Sequence, residues 1–469
     1  MVALGDVEAA FSQHVFNEVP IRLIYVPEMR LYERSELKKL YQYRLDAISE
    51  GEIEKVGQYL NLGRGLAIKF IIRTLVRYAI CSHRWLDDEV TYQKMAQNSS
   101  PTSKGYDKVL RFCRRASESH SLELAWIDTC CINKESSTEL DESVRSMFRW
   151  YRNAAVCIVH LAQTTSIHAV AKDDWFRRGW TLQELLAPQH LKFYDADWSP
   201  FTDDIYDFGE DRDTFVTSTS SHSVTTSGYQ LTQEIMAATG IKSIEAGSQF
   251  SPGVVSVPGR MQWAAGRETT RGEDAAYCLM GIFNVSMPVA YGEGAERAFF
   301  RLIEAMIQMA PNVGTLNWAG EPSDIGHYTL AIPSSPRCYV GCPSHFRDFW
   351  TQEEFALTNR GVRIKLLVKQ AFLASLSASE RICTLSCVMA KDLVVVEGVG
   401  FESEFSLGVF DLDENSRQGF RGWCSAFLLQ RSAEHHQWAK VETANFITFE
   451  PSEWLINTNL QDVWQVVYL

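Results

Sequence analysis

Between Tyr78 and Trp198 short apolar runs alternate with amphipathic stretches, and this constrains the fold more than any other feature of the 469-residue chain. YAICS (78–82), LELAWID (122–128), AAVCIVHLA (154–162) and LKFYDADW (191–198) read as strands. The third is apolar but for His160, the mark of a strand covered on both faces. GYDKVLRFCRRASES between them places Val109, Leu110, Cys113 and Ala116 at helical spacing, and ELDESVRSMFRWYRN places Val144, Met147, Phe148 and Tyr151 on one face. A third helix, in WFRRGWTLQELLAP, ends at Pro188, because a residue before proline avoids the helical region. Such a β-α-β-α-β-α-β order with right-handed crossovers gives a mainly parallel sheet with helices on both faces. Ligands of such sheets bind beyond the carboxyl ends of the strands. Those ends carry Cys81, Ser82, His83, Arg84 and Trp85, and then Asp128, Thr129, Cys130 and Cys131.

The third helix poses a chemical question. Leu182, Leu185 and Leu186 form one apolar stripe, while Trp180, Gln183, Glu184 and Ala187 lie opposite. The helix starts at the same sheet edge, so its second face looks toward the strand ends. Glu184 reads either as a site carboxylate or as a surface acid paired with Arg177 or Arg178. Trp180 reads as a shield of that site or as packing under a later segment. His83 is a base or a hydrogen-bonded structural histidine. The planar fork of Arg84 suits a phosphate. Asp128, closing the second strand, would bind a ribose hydroxyl or accept backbone N–H bonds in its loop. Cys131 with His83 and Asp128 is a nucleophilic triad in outline.

The remaining chain is organised around this block. Residues 1–75 read as a helical lead-in with one early strand, IRLIYV. Residues 76–310 form the main domain, with a core over about 76–200 and a helical extension over 229–310. The segment 203–228 is acidic and then Ser/Thr-rich, and reads as a loop. Arg271, Glu273 and Asp274 read as a charged helix start that docks on the sheet domain. From 315 to 469, RGVRIKLLV, RICTLSCVMA and KDLVVVEGV mark a β-rich domain.

A net charge of −13 argues against general nucleic-acid binding. The longest apolar stretch, LAIKFIIRTLVRYAI, is interrupted by Lys69, Arg73 and Arg77, so no membrane span is expected. Eleven scattered cysteines and a start without a basic, apolar leader suit reduced thiols in the cytoplasm. Cys338/Cys342 and Cys383/Cys387 have a spacing four thiolates could use for zinc, but the second pair reads as strand filler, so no metal site is expected. Neither a Walker loop nor a dinucleotide glycine fingerprint occurs.

Several segments, in order, resemble the fungal heterokaryon incompatibility (HET) domain family. YAICSHRWLDDEV is similar to its first motif, LAWIDTCCINKESSTELDESVRSMFRWYRNAAVCIVHL to its second, and WFRRGWTLQELLAP to its third. ETTRGEDAAYCLMGIFNVSMPVAYGEGAERAFFRL resembles the segment that follows, and FALTNRGVRIKLLV the β-rich region trailing many such proteins. The resemblance covers roughly 75–310. Arg84, Leu86 and Lys134 depart from residues common in the family (Thr, Gly and Gln).

The resemblance implies a trigger of cell death on non-self contact, and more distantly a Toll/interleukin-1 receptor (TIR)-like, flavodoxin-like sheet. In enzymatic TIR domains a Trp-Cys-x-x-Glu helix supplies the glutamate for NAD⁺ cleavage, and Trp180 and Glu184 share that spacing. The implied site has Glu184 as catalytic carboxylate and Ser82, His83, Arg84, Trp85, Asp128 and Trp180 around the substrate. NAD⁺ or a related nucleotide is then substrate, and no cofactor is called for. The implied partners are further copies of the chain in the active state and a protein trigger. A non-catalytic interaction module and a cysteine hydrolase using Cys131 are the alternatives.

Overall fold

The computed structural model describes residues 2–85, 87–97, 103–208, 226–241, 250–310, 312–325, 331–343, 356–377, 381–399, 405–410, 423–431, 438–457 and 464–469. The chain divides into two compact units, residues 1–251 and 252–469.

The first unit opens with helix α1 (Val2–Glu18), the hairpin β1 (Arg22–Tyr25) and β2 (Arg30–Glu33), and helices α2 (Leu37–Asp46), α3 (Glu50–Leu60) and α4 (Arg64–Leu75). The alternating block follows as β3 (Tyr78–His83), α5 (Tyr92–Ala96), α6 (Lys104–His120), β4 (Leu124–Trp126), α7 (Asp128–Cys131), α8 (Ser137–Asn153), β5 (Val156–His160), α9 (Thr181–Leu186) and β6 (Leu191–Tyr194). Helix α10 (Thr226–Thr239) comes next. The expected loop over 203–228 is bend and isolated bridge to Phe208, its residues 209–225 lie outside the described residues, and α10 already begins at Thr226.

The sheet order is β2-β1-β4-β3-β5-β6. Strands β4, β3, β5 and β6 are mutually parallel, and the hairpin adds antiparallel on β4 through Ile24 and Tyr25. Taken in chain order the parallel set runs second, first, third, fourth, which is the flavodoxin-like doubly wound arrangement. All of β3, β5 and β6 is buried, as continuous apolar runs require. Right-handed crossovers place α6 on one face, and α8 and α9 on the other. The early strand pairs as part of a hairpin, because the exposed, charged RLYE of β2 makes a short blunted edge.

The second unit carries α11 (Val257–Ala265), α12 (Asp274–Tyr277), α13 (Met280–Phe283) and α14 (Ala295–Met309). Its strands are β7 (Ala356–Thr358), β8 (Gly361–Ser377), β9 (Ile382–Cys387), β10 (Val394–Glu397), β11 (Phe405–Val409), β12 (Cys424–Arg431), β13 (Trp438–Lys440), β14 (Ile447–Phe449) and β15 (Gln465–Tyr468), with α15 (Glu453–Asn457) before the last. They form a nearly closed antiparallel barrel in the order β10-β9-β8-β11-β12-β13, with β14 on β12, and β7 and β15 on β8. Cys383, Leu385 and Cys387 alternate inward from β9 into the core, so the CTLSC pair serves as filler. Glu273 accepts the Gly292 and Gly294 N–H groups at 2.8 and 3.2 Å, and Asp274 accepts from the Tyr291 hydroxyl at 2.9 Å. The charged helix start therefore pins the turn ahead of α14, where Gly292 and Gly294 have positive φ.

Candidate functional site

The parallel strands reverse their order between β3 and β5, and this switch point is where the sheet opens a crevice. Successive residues of a strand point to opposite faces, so Ser82 and His83 at the end of β3 serve two different environments.

Ser82 faces α9. Its hydroxyl donates to Glu184 Oε2 at 2.5 Å and accepts from the Trp175 indole N–H at 2.8 Å. All three side chains are buried, and Glu184 is 8% exposed. Helix α9 is buried along its whole length rather than along a leucine stripe alone. Glu184 is thus no surface acid. It reaches across the switch point, from the β5–β6 connection to β3. Burial pushes its carboxyl up to about 8, with the Asp128 charge adding to the rise, while Ser82, Arg178 and Tyr151 oppose it.

His83 faces α6. Its Nε2 lies 3.0 Å from Asp128 Oδ1, and its Nδ1 lies 2.6 Å from Lys108 Nζ. An ammonium only donates, so Nδ1 is the acceptor and the ring proton sits on Nε2, donating to Asp128. Lys108, 3% exposed, also donates to the Glu89 carboxylate and to the Arg84 carbonyl at 3.3 Å. Burial and the neighbouring Lys108 charge hold His83 below its ordinary value, so the imidazole is neutral. Asp128 sits two residues past β4, in the first turn of α7, rather than closing the strand. Burial alone would raise its carboxyl, but Lys134 and the His83 hydrogen bond pull it well below the usual range. It is a fixed anion beside a protonated Glu184, the pattern that separates acid and base roles between two carboxyls.

Trp85 is 42% exposed at the mouth of the site. Its indole N–H donates to Asp128 Oδ2 at 2.9 Å, and the Lys134 ammonium stands 3.5 Å from its ring centre. Arg84 reaches away to Asp174, which also accepts from Gln163 Nε2 at 2.8 Å. Trp180 is half-buried at the N-terminal cap of α9, and its carbonyl accepts the Glu184 N–H at 3.4 Å.

Ser82, His83, Trp85, Asp128 and Glu184 are therefore brought together, whereas Arg84 is engaged at the rim. Trp175 and Lys108 join them without having been singled out in the sequence, and Lys134, noted there only as a departure from the family, joins them too. Lys108 had a signal there: it lies on the buried stripe Gly105, Val109, Phe112, Cys113 and Ala116 of α6. Among the described residues no hydrogen bond joins Cys131 to His83, whose two ring nitrogens face Asp128 and Lys108. The adjacent Cys130 thiol is raised far above its ordinary value by the hydrogen bond its S–H makes to Cys131 and by burial. All eleven cysteines are free and buried. Among the described residues, no group of three or more His, Cys, Asp or Glu is placed to hold a metal ion.

The profile of the family described as heterokaryon incompatibility protein (HET) matches residues 78–170. The vegetative incompatibility protein HET-E-1 of Podospora anserina is 39% identical over 242 residues, which is 48% of this chain and 16% of that relative. The chain carries a HET domain. The profile spans Ser82, His83, Arg84, Trp85 and Asp128 and stops before Trp180 and Glu184, so the HET match and the buried glutamate are separate observations that meet at Ser82. The chain spans less than one fifth of the relative's length. No solved structure matches it. Among the described residues, no helix is long and apolar enough to cross a membrane.

Proposed function

We propose that this HET-domain chain is an effector of fungal non-self recognition and cell death, and that it acts by hydrolysing the nicotinamide–ribose bond of NAD⁺ with Glu184 as the key carboxylate. The observation that carries this reading is the buried Trp175–Ser82–Glu184 hydrogen-bond chain at the switch point of the sheet. Departure of nicotinamide leaves positive charge on the ribose, and a carboxylate in a water-poor site opposes that charge most strongly. In the free protein Glu184 holds a proton to about pH 8. A bound nicotinamide cation favours the ionised form, so substrate binding readies the group. Water then attacks the ribose carbon, giving ADP-ribose, nicotinamide and a proton. Asp128, held ionised by Lys134 and the His83 hydrogen bond, is set to accept a hydrogen bond from a ribose hydroxyl. Trp180 shields the reacting centre. Arg84 meets a phosphate by exchanging its Asp174 partner. Self-association completes the active state, and an upstream protein trigger favours it.

The test is nicotinamide release from NAD⁺ by the full chain at high protein concentration, beside Glu184→Gln with its fold checked by circular dichroism. Turnover that falls at least about a hundredfold in the variant is expected. Equal turnover in both proteins rejects Glu184. No turnover in either, with the chain cross-linked to enforce association, favours the module that recruits partners without chemistry.

A further inference from the structure

The same sheet has a half-open cavity at its other edge, apolar over much of its surface. Its volume is about 340 Å³, and α1, α4, the start of β3 and the end of α8 line it. Tyr78 at its floor begins β3, four residues before Ser82, so about 13 Å of strand separates the two places.

Two facing helices bound this cavity with polar side chains. Gln13, His14 and Asn17 come from α1, and Lys69 and Arg73, one turn apart, come from α4. Ala10, Val76 and Tyr78 supply apolar surface. The carboxylate on the wall, Glu18, is occupied by Asn153 Nδ2 at 2.8 Å. Arg73 spends one N–H on Gln189 Oε1 at 3.4 Å. Among the described residues, the Lys69 ammonium and the His14 ring have no hydrogen-bond partner. Burial lowers His14 further from its ordinary value, so its ring is neutral and offers one donor and one acceptor. Two cations and a neutral donor thus converge on a concavity in a chain of net charge −13.

We propose that this cavity binds a phosphomonoester-bearing small molecule of mononucleotide size. The guanidinium of Arg73 and the ammonium of Lys69 bind the phosphate, and the His14 and Gln13 side chains meet the polar rim of the ligand's ring. The volume lies at the lower end of small-molecule sites, which suits one phosphate and one ring system. The cavity shares no lining residue with the Glu184 site, so the two sites are tested separately. Arg73 also touches Gln189, directly after the Pro188 that ends the Glu184 segment, which gives the ligand a contact path to α9.

The experiment is calorimetric titration of the full chain with AMP, alone and against inorganic phosphate. It is run on the natural protein, on Glu184→Gln and on the double variant Lys69→Glu/Arg73→Glu. Saturable one-to-one binding is expected in the first two, competed by phosphate, and weakened more than about tenfold in the third. Lys69→Gln replaces the double variant if charge reversal unfolds the chain. Three results overturn the proposal. They are no saturable AMP binding at millimolar concentration, binding that survives loss of the cations, and binding that is lost in Glu184→Gln instead. The first two leave the proposed hydrolase untouched, because that reading is tested by nicotinamide release alone.

Discussion

At the scale of single residues, the site turns on one proton. Glu184 binds it to about pH 8 in the folded chain and to 4.5 in the unfolded one. Between those values the native state holds more protons, so raising the pH costs stability. The buried His83, His120 and His160 are all lowered from 6.5 and act in the opposite sense only below that value. From pH 6.5 to 8 the stability of the first unit should therefore fall by an amount on the order of a few kcal/mol, and Glu184→Gln should flatten the slope. Denaturant titrations across that window check it, and parallel slopes in both proteins would count against the buried proton. Catalysis gives the complementary reading. If the ionised carboxylate opposes ribose charge, kcat/KM for nicotinamide release rises with pH toward an inflection near 8. The Ser82 hydroxyl favours the ionised form, so Ser82→Ala should move that inflection to higher pH. A profile that falls over the same range would make Glu184 an acid catalyst instead.

At the scale of elements, the site depends on how α6 lies against the turn that follows β3. Gly105 in the first turn of α6 has no room for a side chain: a Cβ there would meet the Asp88 carbonyl oxygen at 2.4 Å and the Glu89 Cα at 3.0 Å. Alanine normally stabilises a helix over glycine, but Gly105→Ala should destabilise the chain by about 1–3 kcal/mol, seen in thermal unfolding. It also displaces Glu89 from Lys108, and so loosens His83. Much at this scale was legible in the sequence. Apolar runs located β3, β4, β5 and β6, and helical spacing located α6 and α8. The carboxyl-end rule brought Ser82, His83 and Asp128 to one edge. Trp175 was not legible, because its role is one long-range hydrogen bond to a residue 93 positions earlier, and no local pattern encodes that. The stripe on α9 misled for a related reason. Six residues between two buried strands are covered on every side, so periodicity no longer distinguishes core from site. The ion pair of Arg84 with Asp174 was not legible either, because it forms through folding of a segment that carries no pairing signal.

At the scale of the whole molecule, two compact units with separate cores should unfold as two calorimetric transitions, and their ionisable groups should tell the transitions apart. The second unit buries Lys440, whose ammonium position lies 3.1 Å from the Trp318 ring centre and 2.7 Å from the Trp318 carbonyl oxygen. Burial drives this amine well below 10.5, so the unfolded state binds the proton that the folded state refuses. Stability of this unit therefore grows as pH rises toward 10.5 and is lost as pH falls through the depressed value. The first unit behaves in the reverse sense through Glu184, up to about pH 8. Between pH 8 and 9 the Glu184 contribution is spent, while that of Lys440 still accumulates. The transition of the second unit should climb in that interval, and Lys440→Met should abolish the climb while leaving the first transition in place. Methionine keeps the packing over Trp318 and removes only the titrating amine. Two transitions that shift together in the variant would mean that the units unfold as one cooperative body, and the separate pH signatures would vanish with them.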